Sequence, residues 1–479
     1  MFSTLLLGVS AALSSPPQSV ELTVYNGGFA LVKEQRELNL QSGIQTVGIE
    51  DVAELIEANS VGIRSISRPG SFVVLEQSYQ FDLISPMAIL NKAVGKRIVF
   101  NRTLPNGQKE RIEGTLMSAP TAMVSDGSGN IHGTWNGMVI KTDDGRIILN
   151  PHGEIEVASI PDGLISKPTL VWMLNSANSG MNKIELSYLT QGMSWKADYV
   201  LSLDGDGGKG DLKGWVTLTN HSGATYNAAT LKLLAGDVRR AQPQGFGGGR
   251  GGAPMELAKA ADDMRQEQFA DYHLYTLQRP TDVRNKEIKQ VSLLEAVNVP
   301  VQKKLIVDAM RMYRNYRPNQ GEVGTGIIKP LIQIELTNDK TSNLGMPFPA
   351  GNFKVFQRDS GGSLQMLGED SIDHTPKEEK IKLIVGSAFD VVVERKRTEF
   401  NWIGEANLRR GVIETFEIEL RNRKETAETV TVYERHWGQH RITKTSLEPK
   451  KLDSETYEFV VPLKAGEVKK VTYTIETRW

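Results

Sequence analysis

By residue type and spacing, the best candidates for metal chemistry are His436 and His440, in the run His436-Trp437-Gly438-Gln439-His440. An HxxxH spacing brings two imidazoles to one metal when it lies on a helix, where positions four apart share a face. Here the preceding Val430-Thr431-Val432-Tyr433 is extended in character, Gly438 interrupts any helix, and no Glu follows His436 as a zinc protease requires. The expectation is a turn with two exposed histidines. Asp204-Gly205-Asp206-Gly207-Gly208-Lys209-Gly210-Asp211 resembles the start of a calcium loop, but Gly208 occupies its fifth position and Trp215 stands where a bidentate Glu belongs. Residues that tolerate positive φ fit a hairpin connection better. Gly247-Gly248-Gly249-Arg250-Gly251-Gly252 satisfies GxGxxG trivially, and without a surrounding parallel βαβ unit it reads as a flexible linker.

The aromatics Trp195, Tyr199, Trp215 and Tyr226 could line a carbohydrate or peptide platform. Aromatics at alternating positions of central strands are more commonly core. No GxSxG, Walker A or HExxH motif occurs, and no carboxylate pair is singled out by local sequence. The sequence therefore assigns no catalytic, cofactor-binding or metal-ligating residue, and no cofactor is expected.

These residues sit in a chain patterned as strands. Ile184, Leu186 and Tyr188 alternate with Glu185 and Ser187, and Trp195, Ala197, Tyr199, Leu201 and Leu203 alternate with polar residues. With Asp204–Asp211 and Asn220-His221-Ser222-Gly223 as turns, residues 183–238 form four successive antiparallel strands. Asn26-Gly27-Gly28 joins an N-terminal hairpin. Ser85 caps a short helix that starts with Pro86 and stops at Gly95. Short strands then recur to Ile160, broken by Asn106-Gly107, Asp126-Gly127 and Asp144-Gly145. The expected fold is all-β: multi-domain antiparallel β-sandwiches with an inserted small SH3-like β-barrel and one or two short helices.

In order, residues 1–17 form a signal peptide, 18–84 strands of the central domain, and 85–165 the helix and barrel insertion. Residues 166–240 hold the central sandwich hairpins and 241–271 a Gly-rich linker with a marginal helix at Pro254–Tyr272. Residues 272–340 return to the central domain and 341–479 form a C-terminal sandwich.

Composition narrows the function classes. Lys and Arg number 56 against 57 acidic residues, so no basic excess exists to neutralise a phosphate backbone, and nucleic acid is not an expected partner. The absence of cysteine excludes disulfides, thiolate catalysis and Cys-ligated zinc. The apolar run Phe2–Leu13, followed by Ser14, Ser15, Pro16 and Pro17, resembles a signal-peptide core, although no Lys or Arg precedes Lys33. No run of about 18 apolar residues is present, so no transmembrane segment is expected.

A set of motifs resembles a known family. They are Pro168-Thr169-Leu170, Leu186–Thr190, Trp195-Lys196-Ala197-Asp198-Tyr199, Trp215–Gly223, Leu231–Asp237, Leu344–Gly351, Leu367–Asp370 and the closing Tyr473–Trp479. This pattern is similar to the family named domain of unknown function 4139, which includes mucoidy-inhibitor-A-like proteins, from about Pro168 to the C-terminus. Tyr226 stands where that family commonly has tryptophan, and the small β module replaces the N-terminal coiled coil of some members. The resemblance implies a β-sandwich of bacterial envelope or secreted type with no established activity.

The expected function is a secreted or periplasmic, non-catalytic binding or structural protein at the cell envelope, with a protein or envelope component as partner. The alternative is an envelope polysaccharide or peptide hydrolase with a site assembled from loops. Outer-membrane insertion ranks last, since charges occur on both faces of the strands.

Overall fold

The computed structural model describes residues 12–479 except 105, 119–120, 126–130, 136, 162, 237, 241–263, 271, 312–320, 322 and 406–407. The chain is all-β, with a single α-helix among the described residues. The period-two pattern holds closely. Gly180–Gln191 buries Asn182, Ile184, Leu186, Tyr188 and Thr190, and Met193–Leu203 buries Met193, Trp195, Ala197, Tyr199, Leu201 and Leu203. Met193–Leu203 and Lys209–Asn220 form the expected hairpin, closing with Leu203 opposite Gly210.

The four strands of residues 183–238 nevertheless divide between two sheets. Gly180–Gln191 and Tyr226–Ala235 join Ser19–Tyr25 and Phe29–Leu40 in an eight-stranded sheet, whereas the hairpin between them belongs to a five-stranded one. The two sheets share a core, with Leu22, Val32, Leu186 and Tyr188 from one side and Tyr199, Leu201, Val216 and Phe353 from the other. A four-stranded sheet of Ala12–Leu13, Gly43–Glu50, Thr169–Ser176 and Phe72–Gln80 adds Val47, Ile49, Leu170 and Trp172. Ala12 and Leu13 run parallel to Val47 and Gly48, and the Ser14 amide donates to the Gly48 carbonyl at 3.2 Å.

A second sandwich holds most of the C-terminal third. Its six-stranded sheet contains Lys380–Ser387, Leu331–Thr337, Gln302–Asp308, Glu428–Arg435, Thr456–Leu463 and Lys450–Lys451. Its five-stranded sheet contains Gly326–Ile328, Val391–Ile403, Gly411–Asn422, Val468–Arg478 and Gln439–Thr445. Val393, Ile418, Val430, Phe459 and Tyr473 fill the space between them.

The expected boundary at residue 341 is therefore corrected. The second sandwich begins by Gln302, which lies opposite Glu335. The chain then returns, because Gly351–Arg358 pairs in parallel with Met193–Leu203 in the central sheet. Gly351 is required at that junction, since a Cβ there would overlap the Ala197 carbonyl oxygen.

Residues 85–165 form a module with its own core of Ala93, Ile98, Phe100, Ile112, Leu116, Met138 and Ile140. Five strands pair from Ile147–Leu149 at one end of the sheet to Glu154–Val157 at the other, and among the described residues no pairing joins these two end strands. The Ser85 side chain accepts from the Ala88 amide at 3.1 Å, Pro86 opens the helix Pro86–Lys92, and Gly95 adopts φ 78°. The helix expected within Pro254–Tyr272 is corrected where the structure describes it: Met264–Phe269 is a strand paired with Tyr272–Leu277. The thin apolar stripe gave a helix little to bury, whereas sheet pairing satisfies the backbone directly. The Gly-rich linker lies outside the described residues.

Three fully buried asparagines close strand ends where the chain leaves a sheet: Asn220, Asn338 and Asn422. Asn220 donates to the carbonyls of Ala224, Val283 and Arg284, and its Oδ1 accepts from the Ser222 amide and hydroxyl. Asn338 and Asn422 each donate to two loop carbonyls and accept one loop amide. Each side chain replaces the ladder partners that the departing backbone gives up. Substituting Asn220→Ala leaves those buried groups unpaired, which costs about 1–3 kcal/mol for a neutral group. Urea unfolding should show that loss, while His221→Ala at the exposed neighbour should stay within about 0.5 kcal/mol of the parent.

Candidate functional site

The residues singled out by type separate in the structure. Asp204 and its glycines close the hairpin, with the Asp204 amide donating to the Lys209 carbonyl at 3.0 Å. Trp195, Tyr199 and Tyr226 are buried, and only Trp215 of that set is exposed, at 37%. Tyr199 stacks on Phe353 at 4.5 Å and donates to the Pro349 carbonyl at 2.9 Å, so it is core with a satisfied hydroxyl. Among the described residues no three His, Asp or Glu side chains converge as a metal site.

The histidine pair requires a correction. Instead of an exposed turn, His436 is buried and His440 half-buried, with ring centroids 5.9 Å apart. His436 follows the strand Glu428–Arg435, and Gly438, at φ 75°, turns the chain into the strand Gln439–Thr445 that carries His440, so the two rings meet. His436 Nε2 lies 3.2 Å from the Tyr473 hydroxyl, the edge of a buried polar cluster.

The centre of that cluster is Arg395, on Val391–Ile403. Its Nε lies 2.9 Å from Glu434 Oε1 and its Nη2 lies 2.7 Å from Oε2, a bidentate pair between the two sheets. Nη1 donates to the Gly324 carbonyl at 3.1 Å, and the guanidinium lies 3.9 Å above the Phe416 ring. Tyr473 donates to Glu434 Oε2 at 2.6 Å. Burial, and then the Glu434 carboxylate, push the Tyr473 hydroxyl well above its ordinary value. Burial lowers the His436 imidazole well below its usual range, helped by Arg395 and then His440. It is neutral at pH 7.

Beside them Arg397 Nη1 donates to Glu414 at 2.8 Å, and burial raises the Glu414 carboxyl against that arginine. A cavity of about 20 Å³, counted as positions open to a water centre, runs past Arg395, Glu414 and His436. That is room for a water, not a sugar. Both carboxylates are held by arginines, so the site offers neither a free general base nor a cleft of substrate size.

The central sandwich repeats the chemistry. Arg36 pairs with Glu34 at 2.7 Å, both buried, and Tyr188 donates to Glu34 at 3.2 Å. Arg36 Nη1 reaches the Glu50 carbonyl at 2.9 Å and so ties the eight-stranded sheet to the four-stranded one.

Reading by motif passes over Arg395, Glu434, Arg36 and Glu34 entirely. A signal for them existed in the alternation. Val391, Val393 and Arg395 share a phase, as do Val430, Val432 and Glu434, and as do Ala30, Val32, Glu34 and Arg36. Comparison with protein-family models and with curated proteins returns no match.

Two outcomes test the cluster. Glu434→Gln leaves the Arg395 charge unpaired and should destabilise by about 3–5 kcal/mol in urea unfolding, whereas Arg395→Met with Glu434→Leu should recover most of that loss. The depressed His436 value contributes stability that is complete above about pH 6.5 and falls as the pH drops below it, because only the unfolded chain then binds the proton readily. The raised Glu414 and Glu34 carboxyls act in the opposite direction, so the readout is a difference. The stability gap between the parent and His436→Gln should narrow from pH 7.5 to pH 5, as followed by urea titration.

Proposed function

We propose that this chain is a non-catalytic binding or structural protein of the bacterial cell envelope, and that it holds an extended segment of a partner protein by strand addition. The observation that carries the reading is the strand Phe72–Gln80. It ends the four-stranded sheet, and among the described residues no strand pairs with its outer edge. Val73 and Leu75 on it are 62% and 48% exposed, and Glu76 is its only charge. An edge of this length and composition is a template for a further strand. The partner implied is an extended, alternately apolar peptide segment, bound through its backbone and read through its side chains. Both buried ion-pair clusters are neutralised internally, which favours binding over acid–base chemistry.

Export belongs to the same proposal and rests on the apolar run Phe2–Leu13 with Ser14–Pro17 after it. So does the likeness to the domain of unknown function 4139 family, whose motif residues Trp195, Asn220 and Gly351 serve here as core, arch and close-approach positions. No helix among the described residues is long and apolar enough to cross a membrane.

The double variant Val73→Lys with Leu75→Lys should fold as the parent does, because both positions are exposed. In crosslinking from envelope extract the parent should capture a segment that maps onto Phe72–Gln80, and the variant should lose it. Capture that survives in the variant would sink strand addition at this edge. Fractionation of expressing bacteria should place the chain in the periplasm or medium, and retention in the cytoplasm would sink export. Ser14 and Ser15 hydrogen-bond to Gly48, Arg36 and Glu37, so mass spectrometry should find them retained in the exported chain if cleavage respects the sheet.

A further inference from the structure

One open end of the second sandwich places lysines where apolar residues would close its core. Lys303 shares the phase of Leu305 and Val307, which lie in that core, so it points inward from the six-stranded sheet. Lys469 stands opposite Leu420, another core residue, so it points inward from the five-stranded sheet. Both line a cleft of about 500 Å³, counted as positions open to a water centre, with the buried Leu305 and Leu463 at its floor. That is room for a small molecule, where the cavity beside Arg395 holds only a water.

Lysines at such an end can lay their stems on the core and keep their heads in water. The charge around this cleft goes further. Glu428 lies 2.6 Å from Lys424 Nζ, which leaves Lys303 only a 3.8 Å approach to the same carboxylate. Glu467 accepts the Lys464 backbone amide at 2.6 Å, while Lys464 Nζ has no ion-pair partner among the described residues. Lys469 Nζ donates only to the Pro462 carbonyl, at 3.3 Å. Four ammonium groups therefore meet two carboxylates here, in a chain whose net charge is −1. The turns that carry Lys424 and Lys464 are tied together before any ligand arrives. Asn422 donates to the carbonyls of Thr426 and Lys464 and accepts the Lys424 amide, and the Gly466 amide donates to the Lys424 carbonyl at 3.2 Å.

We propose that this cleft binds a phosphate monoester carried on a small sugar. Its surplus of two positive charges equals the charge of a phosphate monoester dianion. Lysine ammoniums act as point charges, which suits an anion with oxygens on every side. A carboxylate carries half that charge, and its planar pair of oxygens suits the guanidinium fork, which no residue lining the cleft supplies. The volume admits the phosphate together with a carrier of sugar size, and Pro462 and Ala427 offer apolar contact to its C–H surface.

The test is calorimetric titration of the full chain at low salt with glucose 6-phosphate, with glucose and glucuronate as the uncharged and singly charged counterparts. The expected result is saturable binding of the phosphate alone, weakened by added salt. Lys469→Met keeps the apolar stem and should weaken it about tenfold, the loss of one charge-assisted contact. Lys464→Gln lies on an exposed turn, leaves the packing untouched and should weaken it as well. Lys470→Gln should bind as the parent does, because Lys470 pairs with Glu417 and Glu419 and does not line the cleft. Absence of saturable binding overturns the proposal, and so does binding unchanged in both Lys469→Met and Lys464→Gln. Equal binding of glucuronate overturns the phosphate assignment, and equal binding of inorganic phosphate overturns the sugar carrier. The cleft belongs to the second sandwich and Phe72–Gln80 to the four-stranded sheet. The Val73→Lys, Leu75→Lys variant should therefore bind glucose 6-phosphate as the parent does, and the two proposals fail separately.

Discussion

The second sandwich is organised around an ion pair buried between its two sheets. Placing the Arg395 guanidinium and the Glu434 carboxylate between two sheets forfeits several kcal/mol of hydration for each ion, and their attraction compensates only when the geometry is close to ideal. Here it is: two parallel contacts, a tyrosine hydroxyl on the carboxylate, a backbone carbonyl on the guanidinium and a phenyl ring beneath it. Because Arg395 and Tyr473 come from one sheet and Glu434 from the other, this arrangement exists only when the sheets face each other in one register. Apolar residues of similar volume would pack as well in several registers. The cluster therefore buys specificity of packing more than stability.

The central sandwich solves the same problem with different connectivity. Glu34 and Arg36 lie two apart on one strand, so their pairing is local and would survive a shift between sheets. What fixes the sheets against each other there is the reach of Arg36 to the Glu50 carbonyl, while Tyr188 holds Glu34 from the neighbouring strand of the same sheet. The buried asparagines extend the principle to the strand ends. In each sandwich the buried ion pairs and asparagines stand where the chain changes sheet or where two sheets or strands must be aligned.

Much of this was legible in the sequence, and the rest was hidden for definite reasons. Alternation and turn residues locate the strands, and the Ser85–Pro86–Gly95 punctuation locates the helix, because both signals are local. The departure of the chain at Gln302 and its return at Gly351 leave no local mark: strands on either side of each junction are patterned alike, and only long-range pairing tells them apart. The histidine pair was misplaced because spacing says nothing about which way a turn folds back. The buried charges were overlooked for a subtler reason. A charge on the apolar phase of a strand reads as noise in one strand, and it acquires meaning only when a second strand supplies the opposite charge in the same phase, as Val432-Tyr433-Glu434 does for Val393-Glu394-Arg395.

The remaining question is why one strand edge should recognise anything when the fold has so many. Several other edges among the described residues are blunted. Lys450–Lys451 is two lysines long, Lys380–Ser387 carries Lys380 and Lys382, Gln439–Thr445 carries Arg441 and Lys444, and Gly62–Ser65 is four residues with Arg64 among them. Glu287–Pro300 is long but bears Lys289 and Glu295 and ends on proline. Met264–Phe269 carries Arg265 and Glu267. Against these, Phe72–Gln80 presents Phe72-Val73-Val74-Leu75 in succession, with neither lysine nor proline along its length. A chain that guards several of its described edges with charge or brevity and leaves this one apolar tolerates a standing risk of self-association. Occupancy by a partner strand removes that risk and uses the same backbone groups that create it.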